Sequence, residues 1–360
     1  MPDTPLISQN RKILRTLRMF LIAVAAAFLV SLVFIAALGV DPFVAYGKML
    51  AGAFGKRSSI FEILAKATPL TIMGLGVSAA AKGGLSNLGG DGQFYMGALC
   101  AVCVGLYLPQ SLPAPLIWLL AALAAVAAGG IWGGLAGYLK SRFNTNEVII
   151  TIMLNYVALY LVSWLVSGPL QAPGGIPQTR ALGEAYYLPK LMTGSRAHWG
   201  ILLALLLAVG MRFVFRRTTL GYRIEAVGAA PDAAVYGGIN KRAFGVLILF
   251  LSGAFCGLAG MVEVYGTYYR VMEGITTNFG FTAMLIALLA HLEPYAVILG
   301  SLFISVLTVG ANSMQISLNV PTSIVNVVQS LIILFILIMP SIEDHIRERR
   351  TKTVQQRKGA

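Results

Sequence analysis

Gly83–Gln93, GGLSNLGGDGQ, sets Asn87, Asp91 and Gln93 among five glycines. Such a stretch cannot form a simple apolar helix. It is either a plain turn or a helix break whose polar groups line a route for solute. At membrane depth, irregular backbone is tolerated only where protein or a water-filled cavity satisfies it. A second polar stretch, Asn144–Tyr156 (NTNEVIITIMLNY), puts Asn146, Asn155 and Tyr156 on an otherwise apolar segment. Thr145 or Asn146 suits the cap of the helix that follows. A polar side chain in hydrocarbon needs a partner, which is either a neighbouring helix or a polar solute. Asn312 and Gln315 complete the set of candidates near a path.

Other chemistry is missing. The chain has no G-x-x-x-x-G-K-[ST] phosphate loop and no G-x-S-x-G nucleophile signature. His198, His291 and His345 are scattered, so no catalytic or metal-binding constellation is expected. Cys100 and Cys103 have C-x-x-C spacing, but no second Cys or His pair completes a zinc set. With Cys256 they read as small apolar residues on buried helices. Asp91, Glu147, Glu263, Glu273 and Glu293 all fall at or near predicted helix ends. That scarcity of mid-membrane carboxylates weakens a proton-coupled carrier, although a Na⁺ site built from carbonyls is compatible with it.

The elements that position these groups are membrane spans. Of the 360 residues, 57% are hydrophobic and 11% charged, where a soluble domain carries roughly 25% charged residues. Uncharged runs cover Met19–Val40, Gly92–Leu139, Val148–Thr179, Ala243–Val262 and Pro294–Ile342. A crossing takes about 20 apolar residues. These runs predict an all-α polytopic protein with about ten spans: 19–40, 60–81, 92–108, 116–139, 145–167, 197–215, 243–264, 276–291, 294–311 and 322–340. The eighth and ninth are short enough to be half-helices. With both ends placed in the cytoplasm, 19 Lys and Arg fall inside and 7 outside, which is the expected bias. The net charge of +13 thus reads as topology, and nucleic-acid binding is not expected. The reading divides the chain into a cytoplasmic segment 1–18, a membrane domain 19–341 and a polar cytoplasmic tail 342–360.

Gly129, Gly133 and Gly137 are spaced by four, as are Gly253 and Gly257. Small residues at this spacing let helices approach closely, within one bundle or against a second membrane subunit. The outer segment Gly168–His198 is placed to meet an external partner, or serves only as a connector. Gly221–Ile239 (GYRIEAVGAAPDAAVYGGI) is a polar island bracketed by Arg212, Arg216, Arg217, Lys241 and Arg242. Pieces at Glu225–Ala230 and Asp232–Tyr236, split at Pro231, suit short helices.

Four stretches resemble the permease subunits of ATP-binding-cassette (ABC) importers in the branched-chain amino-acid/ribose/nucleoside permease family, over about 60–340. GLSNLGGDGQ at 84–93 resembles its G-[LI]-x-N-[IL]-G-x-[ED]-G-Q motif. TNEVIITIMLNYVALYLVSWLVSGPLQAPGGIPQT at 145–179 is similar to the nucleoside and simple-sugar branch. AVGAAPDAAVYGGI at 226–239 resembles the coupling segment, with Ala230 and Val235 in place of its usual Asn and Arg. GFTAMLIALLAHLEPYAVILGSLFISVLTVGANSMQ at 280–315 resembles the late motif, with Ala290 for its usual Gly.

The resemblance implies a multi-pass bacterial inner-membrane protein that imports a nucleoside, or a simple sugar, by alternating access. It implies Glu225, Gly228, Pro231, Ala233, Ala234, Gly238 and Ile239 as ATPase-coupling residues in a cytoplasmic loop at 212–242. The implied partners are ABC ATPase subunits, which would hold the ATP and magnesium, a second and related permease, an extracytoplasmic solute-binding protein and membrane lipid. No cofactor is expected on this chain.

Overall fold

The computed structural model describes residues 22, 24–109, 111–276, 278–321 and nine positions between 323 and 338. The expected N-terminal segment 1–18 and tail 342–360 lie outside the described residues, and the expected tenth span is described only at those nine positions. Among the described residues the regular structure is helical, joined by two isolated β-bridges. The chain divides into two compact units, one of residues 60–305 and one of residues 1–59 with 306–360.

The smaller unit holds α1 (Val24–Ala37) and α2 (Pro42–Phe54), bent by 113° at their junction. Asp41 caps α2 by accepting a 2.8 Å hydrogen bond from Phe43 N, and Pro42 sits at the first helical position. An N-cap Asp followed by Pro is a strong start signal. Tyr46 meets Phe28 edge-on at 5.1 Å and bonds Ser31, closing α2 onto α1. This unit also contains the last part of α12 (Pro294–Leu318). That helix outruns the expected 294–311 because no breaker intervenes before Asn319, whose φ is +53°.

In the larger unit the helices are α3 (Arg57–Lys82), α4 (Gly90–Tyr107), α5 (Ala114–Phe143), α6 (Glu147–Ser167), α7 (Gly200–Arg217), α8 (Thr219–Ala229), α9 (Pro231–Tyr236), α10 (Lys241–Glu263) and α11 (Phe279–Leu289). Five helices (α3, α5, α6, α10 continued to Tyr268, and α12) are long and apolar enough to cross a membrane, or six if the bent pair α1–α2 counts as one. α7 ends in Arg212, Arg216 and Arg217, and α4 opens on Gly90-Asp91-Gly92-Gln93. Neither is uniformly apolar. α11 has 11 residues, about 16 Å at 1.5 Å per residue, roughly half a bilayer core.

α10 is the central post. The spaced glycines of α5 and α10 face each other within this unit. A Cβ on Gly129 would sit 2.4 Å from Gly253 O, and one on Gly257 would sit 2.2 Å from Ala125 O. α4 closes the third side, where a Cβ on Gly97 would meet Gly257 Cα at 2.3 Å. Beyond Glu263, α10 widens into a π-helical turn, Val264–Tyr268, ended by Tyr269 in the left-handed region.

The 168–199 segment folds over that turn. Leu188 N donates to Tyr265 O, Leu182 N to Tyr269 O and Thr179 N to Val271 O, at 2.8–2.9 Å. Tyr187 stacks on Tyr269 at 3.6 Å. His198 is buried at the base of this brace, and burial pushes its pKa down to about 4. The neutral ring accepts a hydrogen bond from Gly200 N through Nδ1 at 3.1 Å.

Candidate functional site: a cleft between two helix breaks

Two interruptions meet inside the larger unit. Residues 83–89 join α3 to α4 without helix, and residues 269–278 join the π-helical turn to α11. Asp91 links them, since its Oδ1 accepts from Gly280 N at 3.0 Å. Gly90 and Gly280 let the two segments touch, as a Cβ on Gly90 would lie 2.9 Å from Gly280 Cα. The N-terminal ends of α4 and α11 both present partial positive charge. A carboxylate in the first turn of one helix and on the first amides of the other is placed to offset both.

Asn155 of α6 fixes the first interruption. Its Oδ1 accepts from Gly92 N at 2.8 Å, and its Nδ2 donates to Leu88 O at 2.7 Å. Asn155 lies eight residues beyond Glu147, so the junction sits about 12 Å along α6. Asp91 lies in the first turn of α4, at a helix end as expected, and its bond to Gly280 N sets that end inside the bundle. Glu263 is likewise at a helix end, the last residue of α10, and is buried there.

A cleft of about 550 Å³ opens at this junction, lined by Leu88, Asp91, Tyr95, Ile152, Asn155, Tyr156, Leu159, Tyr160, Ser163, Glu273, Gly274, Thr276, Asn278 and Phe281. The volume is within the ~300–1,000 Å³ usual for small-molecule sites. Tyr95, Tyr156, Tyr160 and Phe281 supply aromatic faces. Asp91, Asn155, Ser163, Glu273, Thr276 and Asn278 supply polar groups. Ser163 donates to Glu273, and Tyr95 Oη accepts from Gly274 N at 3.1 Å, so the return segment is held from two helices.

Three of the eight path residues read from the sequence, Asp91, Asn155 and Tyr156, line this cleft together. Asn87 and Gln93 lie behind it, fully buried. Asn87 Nδ2 donates to Gln93 Oε1 at 2.8 Å and to Ser252 Oγ at 2.7 Å, and Gln93 Nε2 returns a 3.1 Å bond to Asn87 Oδ1. This satisfied amide pair knits α4 to α10. Asn146 caps α6 by accepting from Val148 N at 2.8 Å. Asn312 and Gln315 are exposed on α12, in the smaller unit.

Tyr95, Tyr160, Ser163, Glu273, Thr276, Asn278 and Phe281 were not singled out from sequence. Ser163 lies on the Asn155 side of α6, two turns on, a spacing readable from sequence. The 273–281 segment joins only by returning across the fold.

Asn155→Leu removes one acceptor and one donor used by otherwise unpaired backbone. Each loss costs about 1–3 kcal/mol. The expected result is a thermal midpoint in detergent that drops, with any activity that depends on the cleft falling at least tenfold. An unchanged midpoint would contradict this pairing.

Residues 59–337 match the family described as "Branched-chain amino acid transport system / permease component". The chain belongs to this family. Its relatives carry permease names of differing solute. A 35% identical relative, over 88% of this chain and 86% of its own, is the glucose ABC transporter permease protein TsgB13 of Haloferax volcanii. The guanosine ABC transporter permease protein NupP of Bacillus subtilis is 37% identical over 81% of this chain and 84% of its own. The nucleoside ABC transporter permease protein NupB of Lactococcus lactis subsp. cremoris is 32% identical over 90% of this chain and 91% of its own. No solved structure matches.

As a permease, the chain has its coupling candidates on α8 and α9. Glu225 and Gly228 lie on α8, Pro231, Ala233 and Ala234 on α9, and Gly238 and Ile239 just beyond it. α8 begins at Thr219, six residues before the piece read from sequence, because Thr218 caps it through a 3.3 Å bond from Gly221 N.

Proposed function

We propose that this permease subunit carries a nucleoside inward by alternating access around the cleft at Asp91, driven by ABC ATPases that dock on α8–α9. The observation that carries the reading is the composition of the cleft. Its described lining has four aromatic rings, two carboxylates and no Lys or Arg. An amino acid would bring a carboxylate into that field without a cation to meet it. Asp91 already offsets the positive helix ends that serve anionic substrates elsewhere. A nucleoside suits the cleft better, with a flat base for the tyrosines and Phe281 and donor groups for carboxylate and amide oxygens. The names of NupP and NupB support this solute class. A simple sugar is the second reading, favoured by TsgB13 and by the same supply of hydroxyl acceptors.

The cleft is open beside α6, where Tyr156, Tyr160 and Trp164 are exposed. Carboxylates facing lipid are costly. A second permease covering this side would enclose the path. In this reading the termini and α8–α9 face the cytoplasm of a bacterial inner membrane, and a solute-binding protein delivers from the other side near 168–199.

The test is uptake into proteoliposomes holding the chain with its ATPase, second permease and binding protein. Labelled guanosine is expected to accumulate only with ATP, and unlabelled guanosine should compete better than glucose. Uptake by this chain alone, driven by an ion gradient, would overturn the importer reading. Better competition by glucose would replace nucleoside with sugar.

A further inference from the structure

The face of α8 turned away from solvent rests on the turn that leads into the cleft. A Cβ on Gly228 would lie 2.0 Å from Lys82 O and 2.8 Å from Gly84 N. Gly84 itself, at φ +72°, approaches Gly228 Cα. Backbone thus lies on backbone, with no side chain between. Lys82, the last residue of α3, spans the same junction. Its Nζ donates to Glu225 Oε1 of α8 at 2.9 Å and lies 3.8 Å from Glu293 Oε1, ahead of α12. The ammonium also sits 4.7 Å from the centre of the Phe215 ring on α7. Arg212 of α7 closes the group, 3.5 Å from Glu293 Oε2 and 4.6 Å from the Tyr295 ring. The Lys82 side chain is 15% exposed, so this pair is less screened than a surface ion pair. It also lies at the negative end of α3, where a cation is favoured.

Six residues separate the Lys82–Gly84 junction from Asp91, through Leu85, Asn87, Leu88 and the glycines. Asn87 and Asn155 brace that run by the hydrogen bonds described above. We propose that Lys82 is a positioning residue that fastens α8 to the 83–91 run, so that displacement of α8–α9 is delivered to the Asp91 end of the cleft. This rests on the reading of α8–α9 as the ATPase-facing element. A fastener of this kind transmits motion without taking part in ATPase binding or solute contact. Its loss should therefore separate hydrolysis from transport. Coupling of two sites in proteins is commonly worth ~1–3 kcal/mol, or about 5–150-fold.

The experiment uses the complete transporter in proteoliposomes, with Lys82→Met, Lys82→Arg, Glu225→Leu and the double variant Lys82→Met/Glu225→Leu. Bound ATPase, basal ATP hydrolysis, its stimulation by loaded binding protein, and guanosine uptake are measured together. Lys82→Met is expected to keep its bound ATPase and basal hydrolysis, while stimulation and uptake fall about tenfold. Lys82→Arg should restore most of both, because a guanidinium still reaches the carboxylates. The double variant should be no worse than Lys82→Met, because one pair is removed only once. The proposal is overturned if Lys82→Met transports like the native chain, or if it loses bound ATPase and basal hydrolysis, which is the mark of a docking or folding role. It is equally overturned if the two single losses multiply in the double variant. Failure of the native chain to hold an ATPase would overturn the importer reading, and this proposal with it.

Discussion

Asp91→Ala is expected to abolish measurable uptake while leaving the bundle folded. The substitution removes the acceptor of Gly280 N, a buried donor at the start of α11. An unmet buried donor costs about 1–3 kcal/mol. The lost interaction with the helix end adds about 0.3–2 kcal/mol. Both costs fall on one junction, whereas the α4–α5–α10 packing through Gly97, Gly129 and Gly257 is untouched. The return segment 269–278 should therefore loosen before the core does. Every 1.4 kcal/mol of bias against the closed junction is about a tenfold loss of competent transporter, so a loss above about a hundredfold is expected. Asp91→Asn keeps an acceptor and gives up the charge, and should retain more uptake than Asp91→Ala. Equal, near-native uptake by both variants would show that the carboxylate neither holds the junction nor meets the solute. Binding-protein-stimulated hydrolysis, read beside uptake, separates a broken path from a lost complex.

Most helices were legible because hydrophobic run length is a direct reading of a bilayer's thickness. The break at Gly83–Gln93 was legible too, since five glycines beside Asn, Asp and Gln cannot continue an apolar helix. Its place was not, because the same residues suit a surface turn and a break inside the bundle, and a loop that re-enters leaves no mark in its own sequence. Asp91 meets the cleft about 12 Å along α6 from Glu147, because Asn155, on that other helix, holds its segment there. Nothing local to 83–93 encodes that.

The second half of the cleft was hidden for a related reason. Glu273, Thr276 and Asn278 reach the site only after the chain passes through the π-helical turn and beneath the 168–199 brace. α2 was missed despite its Asp41-Pro42 start signal, because a 13-residue helix with Gly47, Lys48 and Gly52 has no run long enough to read as a span. The paired glycines carried their message fully, as α5 meets α10 where small residues recur every fourth position.

Tyr236→Ala is the second large expected effect. α9 has six residues, far below the length at which an isolated helix is stable in water. It is held by Pro231 at its first position, by buried Ala234 and by two closing bonds, Gly238 N to Val235 O and Ile239 N to Ala234 O, both 3.0 Å. Ala234→Asp would bury a carboxylate against α9's own support. It would test folding as much as docking. The exposed side of α9 carries Val235 and, at 94% exposure, Tyr236. Aromatic anchors of this kind supply ~2 kcal/mol or more when they dominate an interface. Loss of Tyr236 should weaken ATPase binding about thirtyfold. A titration of ATPase onto detergent-purified permease measures this directly, with uptake falling in parallel at limiting ATPase. Excess ATPase should restore uptake to Tyr236→Ala but not to Lys82→Met, because the first variant impairs binding and the second impairs transmission. Unchanged affinity in Tyr236→Ala would move the docking surface off α9 and onto the exposed side of α8, where Tyr222 is the next exposed aromatic.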